Sequence, residues 1–119
     1  MTRLILVDDQ PIFRRRLRQM LDLAGLEVVG EAGDIPAAEQ LVAALQPDLA
    51  LVDIRLPGIS GIDGTPRLKA LAKDLKVYLL SAYPDQAHQI ESQAKIAGAE
   101  AFVLKDDLDL ELIHSISSA

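Results

Sequence analysis

The sequence predicts an α/β fold: a doubly wound parallel sheet of five strands with helices on both faces. Three observations lead there. Short apolar runs recur along the 119 residues, at Leu4 to Val7, Val28 to Val29, Leu49 to Val52, Val77 to Leu80 and Ala101 to Leu104. Between them lie segments of helical period, and the connections are short. Strand, helix, strand repeated in this way requires right-handed crossovers, which place each helix on one face of a parallel sheet or the other.

Each element has its own signals. All the runs except Val28 to Val29 lack the alternation of a half-wet strand, which predicts burial on both faces. Glu27 and Glu31 flank the second run and mark it as an exposed edge strand. Phe13, Leu17, Met20, Leu21 and Ala24 form one helical stripe, ended by Gly25. Ile35, Ala38, Leu41, Val42 and Leu45 form a second, opened by Asp34 as N-cap with Pro36 in its first turn and closed by Pro47. Leu68, Leu71, Ala72 and Leu75 make the third. The fourth helix, Pro84 to Ala97, offers only Ala87, Ile90, Ala94 and Ala97 as an inner face, so it should be the least firmly held. Leu112, Ile113 and Ile116 make the last, with Asp106 and Asp107 as capping candidates.

Composition narrows the function classes. Half of the residues are apolar, enough for one core, and the chain reads as a single domain over residues 1–119. The absence of cysteine excludes disulfides, thiol catalysis and cysteine-ligated zinc. No apolar run approaches the roughly 20 residues of a bilayer span. Met1-Thr2-Arg3 leads straight into a strand, unlike a signal peptide, so the expectation is a soluble, cytoplasmic protein that makes no membrane contact. A net charge of −6 argues against nucleic-acid binding through this chain. The basic cluster Arg14, Arg15, Arg16 and Arg18 reads as the exposed face of an amphipathic helix, with a docking surface for an acidic partner as the alternative.

In a parallel α/β sheet, sites form beyond the carboxyl ends of the strands. The first run ends in Asp8 and Asp9, the third in Asp53, the fourth in Ser81 and the fifth in Lys105. Glu31 follows the second, but an edge strand sets it apart. Three carboxylates brought within about 4 to 6 Å repel by a few kcal/mol per pair at an effective dielectric of about 20, so something must compensate. Lys105 can reach a carboxylate or an anion, and a hard divalent cation would accept the oxygens of Asp9 and Asp53. Magnesium suits such oxygens better than zinc, and His88 and His114 fall in helical segments as solvent-facing residues. Carboxylates, a divalent metal, a lysine and a hydroxyl together suit phosphoryl transfer, with a carboxylate as nucleophile.

The ordered fragments LILVDDQ, LALVDIRLPGISG, LLSAY and AFVLKDD resemble the receiver domain of two-component response regulators, and the likeness covers essentially the whole chain. VVGEAGD and FVLKDD are similar to the NarL/FixJ-like subfamily, whose members usually carry a LuxR-type helix-turn-helix domain after the receiver. The resemblance implies a flavodoxin-like (βα)5 fold with strand order 2-1-3-4-5. It also implies Asp53 as phosphoacceptor, with magnesium held by Asp8, Asp9, Asp53 and the backbone carbonyl of Arg55. Lys105 would pair with the phosphoryl group, and Ser81 and Phe102 would form the switch. The implied partners are a histidine kinase, small phosphodonors and, on phosphorylation, a second copy of the chain. The implied role is a phosphorylation-activated switch controlling transcription, not an enzyme acting on other substrates. Pro57 and Gly61 match the loop after Asp53, where Gly61 is expected to supply a positive φ.

Three departures carry expectations of their own. Asp106 follows Lys105 where many receivers have a cis-linked proline, which predicts a trans bond. Serine at position 81 keeps the hydroxyl of the commoner threonine without its methyl. Gly64, Thr65 and Pro66 predict a third helix that starts late or is loose at its N-terminus. Arg55 and Tyr83, two residues beyond Asp53 and Ser81, should border the path of an attacking water and slow dephosphorylation.

Two rival functions share parts of this pattern. A haloacid-dehalogenase-like phosphatase also uses magnesium and an aspartate after its first strand, but needs a second acid two residues on, where Asp8 is followed by Gln10. The other is a receiver-like binding module that switches through partners without being phosphorylated.

Overall fold

The computed structural model describes residues 2–83 and 87–118. Five strands alternate with five helices: β1 (Arg3–Val7), α1 (Pro11–Leu23), β2 (Glu27–Ala32), α2 (Ile35–Leu45), β3 (Leu49–Asp53), α3 (Gly61–Leu71), β4 (Lys76–Ser81), α4 (Ala87–Ala97), β5 (Ala101–Leu104) and α5 (Leu110–Ser118). A 3-10 turn, Lys105–Asp107, joins β5 to α5. All strand pairs are parallel, in the order β2-β1-β3-β4-β5. This is the flavodoxin-like (βα)5 arrangement, with β2 at an edge as Glu27 and Glu31 indicated.

Strand alternation divides the core into two layers. Ile5, Val7, Ala50, Val52, Val77 and Leu79 face α2, α3 and α4, where they meet Ile35, Val42, Leu68 and Ile90. Leu4, Leu6, Leu49, Leu51, Tyr78 and Leu80 face α1 and α5, where they meet Leu17, Leu21, Ile113 and Ile116. In β1, Leu4 to Val7 are at most 1% exposed, so both faces are dry as the unbroken apolar run predicts. β5 departs from that expectation: Ala101 to Leu104 are all half-buried. The strand is the second edge of the sheet, and its apolar run cannot show that it has a neighbour on one side only.

Asp34 caps α2 as expected, its Oδ1 accepting from Ala37 N–H at 2.9 Å. Gln46 ends that helix in the left-handed region, φ 46°, before Pro47. Gly25, at φ 80°, follows α1. The bond after Lys105 is trans, as are all peptide bonds among the described residues.

α3 overturns the expectation of a late start. It begins at Gly61 because Ser60 caps it, Ser60 Oγ accepting from Asp63 N–H at 3.1 Å. Pro66 lies inside the helix, and Thr65 Oγ1 donates to Gly61 O at 2.7 Å. The true inner stripe is Gly61, Gly64, Thr65 and Leu68, small residues that let α3 approach closely. A Cβ on Gly64 would lie 2.6 Å from Ile35 Cγ1 of α2. Leu71, expected on the buried stripe, is 40% exposed, while Ala72 and Leu75 are buried beyond the helix end.

α4 is described from Ala87, and the expected first turn at Pro84 lies outside the described residues. Its buried side chains are Ile90 and Ala94. α5 is capped by Asp109 instead of Asp106 or Asp107: Asp109 Oδ1 accepts from Leu112 N–H at 2.8 Å. The two earlier aspartates fall in the 3-10 turn. Among the described residues, no helix is long and apolar enough to cross a membrane.

Candidate functional site

The carboxyl ends of β1 and β3 bring three carboxylates together. Asp8 and Asp9 follow β1 and Asp53 ends β3, and one oxygen from each lies within 4.8 Å of the others, a set able to hold a metal ion. Asp8 and Asp53 are buried, whereas Asp9 is exposed at the mouth.

Lys105, just after β5, supplies the counter-charge. Its Nζ lies 2.8 Å from Asp8 Oδ2 and 3.1 Å from Asp53 Oδ2, and the ammonium-bearing side chain is only 7% exposed. It also donates to Gln10 Oε1 at 3.2 Å and sits 4.1 Å from the centroid of the Phe13 ring. One lysine against three carboxylates leaves the pocket with surplus negative charge. Burial pushes the Asp53 carboxyl above its ordinary value of 3.8; Lys105 opposes that rise and the neighbouring Asp8 adds to it.

Backbone groups set the orientation of each acid. Asp53 Oδ1 accepts from Arg55 N–H at 3.1 Å, and Asp8 Oδ1 accepts from Gln10 N–H at 2.8 Å. Asp8 Oδ2 is buried with no hydrogen bond, held only by the charge of Lys105. Behind Asp53, Gly61 N–H donates to Ile54 O at 2.9 Å. A Cβ on Gly61 would fall 3.0 Å from the Asp53 carbonyl carbon and overlap its oxygen. Gly61 is therefore needed for close approach; the positive φ expected there belongs to Gly58, at 80°.

Ser81, at the end of β4, is buried, and its Oγ accepts from Tyr83 N–H at 3.1 Å. Arg55 stacks on Tyr83, the guanidinium carbon 4.0 Å from the ring centroid. Phe102 pairs with Leu79 across the β4 to β5 ladder and packs against the α4-side core. Beside it lies a small cavity of about 110 Å³, lined by Ala94, Ala99 and Ala101 among others.

Sequence reasoning did not assign Gln10, Phe13 or Arg14 to the site. Gln10 was legible as the side chain opening α1 directly after the two aspartates. Phe13 reads in sequence as part of the core stripe, yet its ring also lies against Lys105. Arg14 is indistinguishable in sequence from its solvent-facing arginine neighbours. Arg15, Arg16 and Arg18 are exposed as expected, but Arg14 turns inward to donate to Asp8 O at 2.7 Å and Glu31 Oε1 at 2.9 Å. Glu31 lies apart from the acidic cluster, also paired with Arg18. His88 and His114 are exposed, as expected.

This set of strand-end residues is accompanied by a family match: the model of the response regulator receiver domain matches residues 4–117. The chain belongs to the response regulator receiver domain family. Among receiver-containing proteins, it is 37% identical over 115 residues to the transcriptional regulatory protein NarL of Mycobacterium tuberculosis, covering 96% of this chain and 52% of that protein. It is 37% identical over 120 residues to the DNA-binding transcriptional activator DevR/DosR of the same species, covering 98% and 53%. The receiver thus spans about half the length of the curated relatives it matches. The signal receiver domain of NarL from Mycobacterium tuberculosis superposes with a TM-score of 0.88 at 36% identity, over 98% of this chain and 94% of that one. A LuxR-family response regulator from Aurantimonas sp. SI85-9A1 gives 0.87 at 31%, over 99% and 84%. The receiver is therefore of the NarL/LuxR type, and its acidic cluster resembles the phospho-accepting site of that family.

Proposed function

We propose that this chain is a single receiver domain that takes a phosphoryl group onto Asp53 and passes the resulting change of shape to an output domain or partner. The observation that carries this reading is Lys105 lying between Asp8 and Asp53, with Asp9 completing an oxygen cluster whose charge exceeds that of the lysine.

The residues suit magnesium. All three side-chain donors are hard oxygens, and buried Asp8 Oδ2 has no hydrogen bond of its own. Asp8, Asp9, Asp53 and the backbone carbonyl of Arg55 would hold the ion. When bound, magnesium supplies charge neutralisation for the phosphoryl oxygens. The protein supplies the rest. A carboxylate oxygen of Asp53, aimed by Arg55 N–H, bonds to phosphorus as the bond to the donor's leaving group breaks. That donor is the phosphohistidine of a histidine kinase or a small acyl phosphate. Lys105 shifts its charge onto the phosphoryl oxygens, and fixed positions account for most of the rate.

The new dianion then draws the Ser81 hydroxyl toward it and opens space for Phe102. The cavity beside that ring and the thin buried face of α4 favour a second arrangement of α4 and β5. The relatives named above as transcriptional regulators support control of transcription as the output. Homodimer formation on phosphorylation is part of the same reading.

Incubation with acetyl phosphate and magnesium tests it. The intact mass should rise by one phosphoryl group in the wild type and not in Asp53→Asn. Absence of that gain in the wild type favours a module that switches through partners alone, and steady phosphate release from a generic ester would favour a phosphatase.

A further inference from the structure

We propose that Arg14 is a positioning residue for the metal-binding loop, its guanidinium braced by Glu31 so that Asp8 Oδ2 stays presented to the acidic cluster. The inference rests on the magnesium reading above.

Asp8 is the first residue beyond β1, where the chain leaves the sheet. Its N–H still donates to Ala32 O of β2 at 2.9 Å. Its carbonyl takes the Arg14 Nη1–H at 2.7 Å, and its Oδ1 takes the Gln10 N–H at 2.8 Å. Three of the four polar atoms of Asp8 are thus tied by hydrogen bonds, and Oδ2 faces the Lys105 ammonium at 2.8 Å without one. A carboxylate fixed in this way loses little freedom when an ion arrives.

Arginine is suited to this position because its fork serves two acceptors on different elements. While Nη1 holds Asp8 O, Nε donates to Glu31 Oε1 at 2.9 Å, and Arg18 takes the other oxygen of the same carboxylate. Glu31 precedes Ala32, the residue bonded to Asp8 N–H. The result is a closed ring of contacts from Asp8 through Arg14 and Glu31 to Ala32 and back to Asp8. It locks the end of β1 to α1 and to the edge strand. A lysine would have to meet both acceptors from a single nitrogen on a flexible stem, without the fixed spacing of the fork.

The sign of the effect makes the idea testable. Arg14 is a cation near a cation site, so if it acted only through its charge, removing it would tighten magnesium binding. A positioning role predicts the reverse. The experiment is calorimetric titration of the full chain with magnesium chloride, for wild type, Arg14→Ala, Arg14→Lys and Arg15→Ala. Arg15 is exposed on the same helix and controls for charge. We expect the Kd to rise about tenfold in Arg14→Ala and by a smaller factor in Arg14→Lys, and to stay unchanged or fall in Arg15→Ala. A folded Arg14→Ala that binds magnesium as tightly as wild type, or more tightly, overturns the proposal. If Arg14→Ala does not fold, Arg14→Lys decides by the same two outcomes. Acetyl phosphate labelling of the wild type separates the two readings. Magnesium binding that weakens in Arg14→Ala without any label in the wild type would remove the phosphoacceptor role and leave this one. A labelled wild type with unchanged magnesium affinity in Arg14→Ala does the opposite.

Discussion

The ammonium of Lys105 rests 4.1 Å from the centre of the Phe13 ring while donating to Gln10 at 3.2 Å, so α1 and the residue that opens it hold the lysine along with the aspartates. To serve a phosphoryl group on Asp53, it must exchange some of these contacts. Gln10→Glu would replace a neutral acceptor with a charged one and anchor the lysine more strongly. We expect acetyl phosphate labelling of Asp53 to slow by about tenfold, corresponding to roughly 1.4 kcal/mol in the barrier. Gln10→Leu should stay within a few-fold of wild type. Rates from intact-mass time courses check both.

Asp53 links stability to pH in the metal-free protein. Burial raises its folded pKa above the ordinary 3.8, so the folded state holds the proton more tightly than the unfolded chain. The benefit of the neutral form is fully present below 3.8 and is lost as pH rises through the folded value. Asp53→Asn, a neutral isostere, should therefore melt higher than wild type at neutral pH in chelator, with the gap closing on acidification. Magnesium should raise the melting temperature of wild type more than that of Asp53→Asn. Equal melting curves at neutral pH would contradict this.

Two glycines of α3 should respond differently to alanine. At Gly61 the added carbon meets the backbone of Asp53, which cannot yield, and we expect a loss of about 3 kcal/mol and weakened labelling. At Gly64 it meets the side chain of Ile35, and alanine's better helix propensity offsets about 1 kcal/mol of the strain. Gly64→Ala combined with Ile35→Val should be more stable than the sum of the two single losses. Urea unfolding measures all of these.

Arg55, two residues beyond Asp53, stacks on Tyr83, two residues beyond Ser81, with the guanidinium carbon 4.0 Å from the ring centre, and we propose that the pair screens a phosphorylated Asp53 from water. The phosphorylated protein should lose its label slowly, and Tyr83→Ala or Arg55→Ala should speed that loss several-fold. Decay within minutes that neither substitution alters would discard the screening role.

The central strands were legible because β1, β3 and β4 are dry on both faces and their residues show it in an unbroken apolar run. The acidic cluster was legible because strand ends in this architecture converge, so Asp8, Asp9, Asp53 and Lys105 could be placed together before any distance was known. Other features depend on a neighbour that sequence does not display. Gly61, Gly64 and Thr65 line the inside of α3 through smallness, which a search for large apolar residues passes over. Leu71 has the apolar character of the stripe but turns outward near the helix end. Arg14 sits among three exposed arginines and differs from them only in what lies within its reach, the carbonyl of Asp8 and the carboxylate of Glu31.

The pairing of Lys105 with Gln10 spans 95 positions of the chain, and that with Asp53 spans 52. During synthesis, then, the three acids can assemble only as an unbalanced pocket until β5 has emerged and docked, because their counter-charge is encoded 52 codons after Asp53. A nascent or clipped chain that stops before Lys105 would carry the acids without the ammonium that balances them.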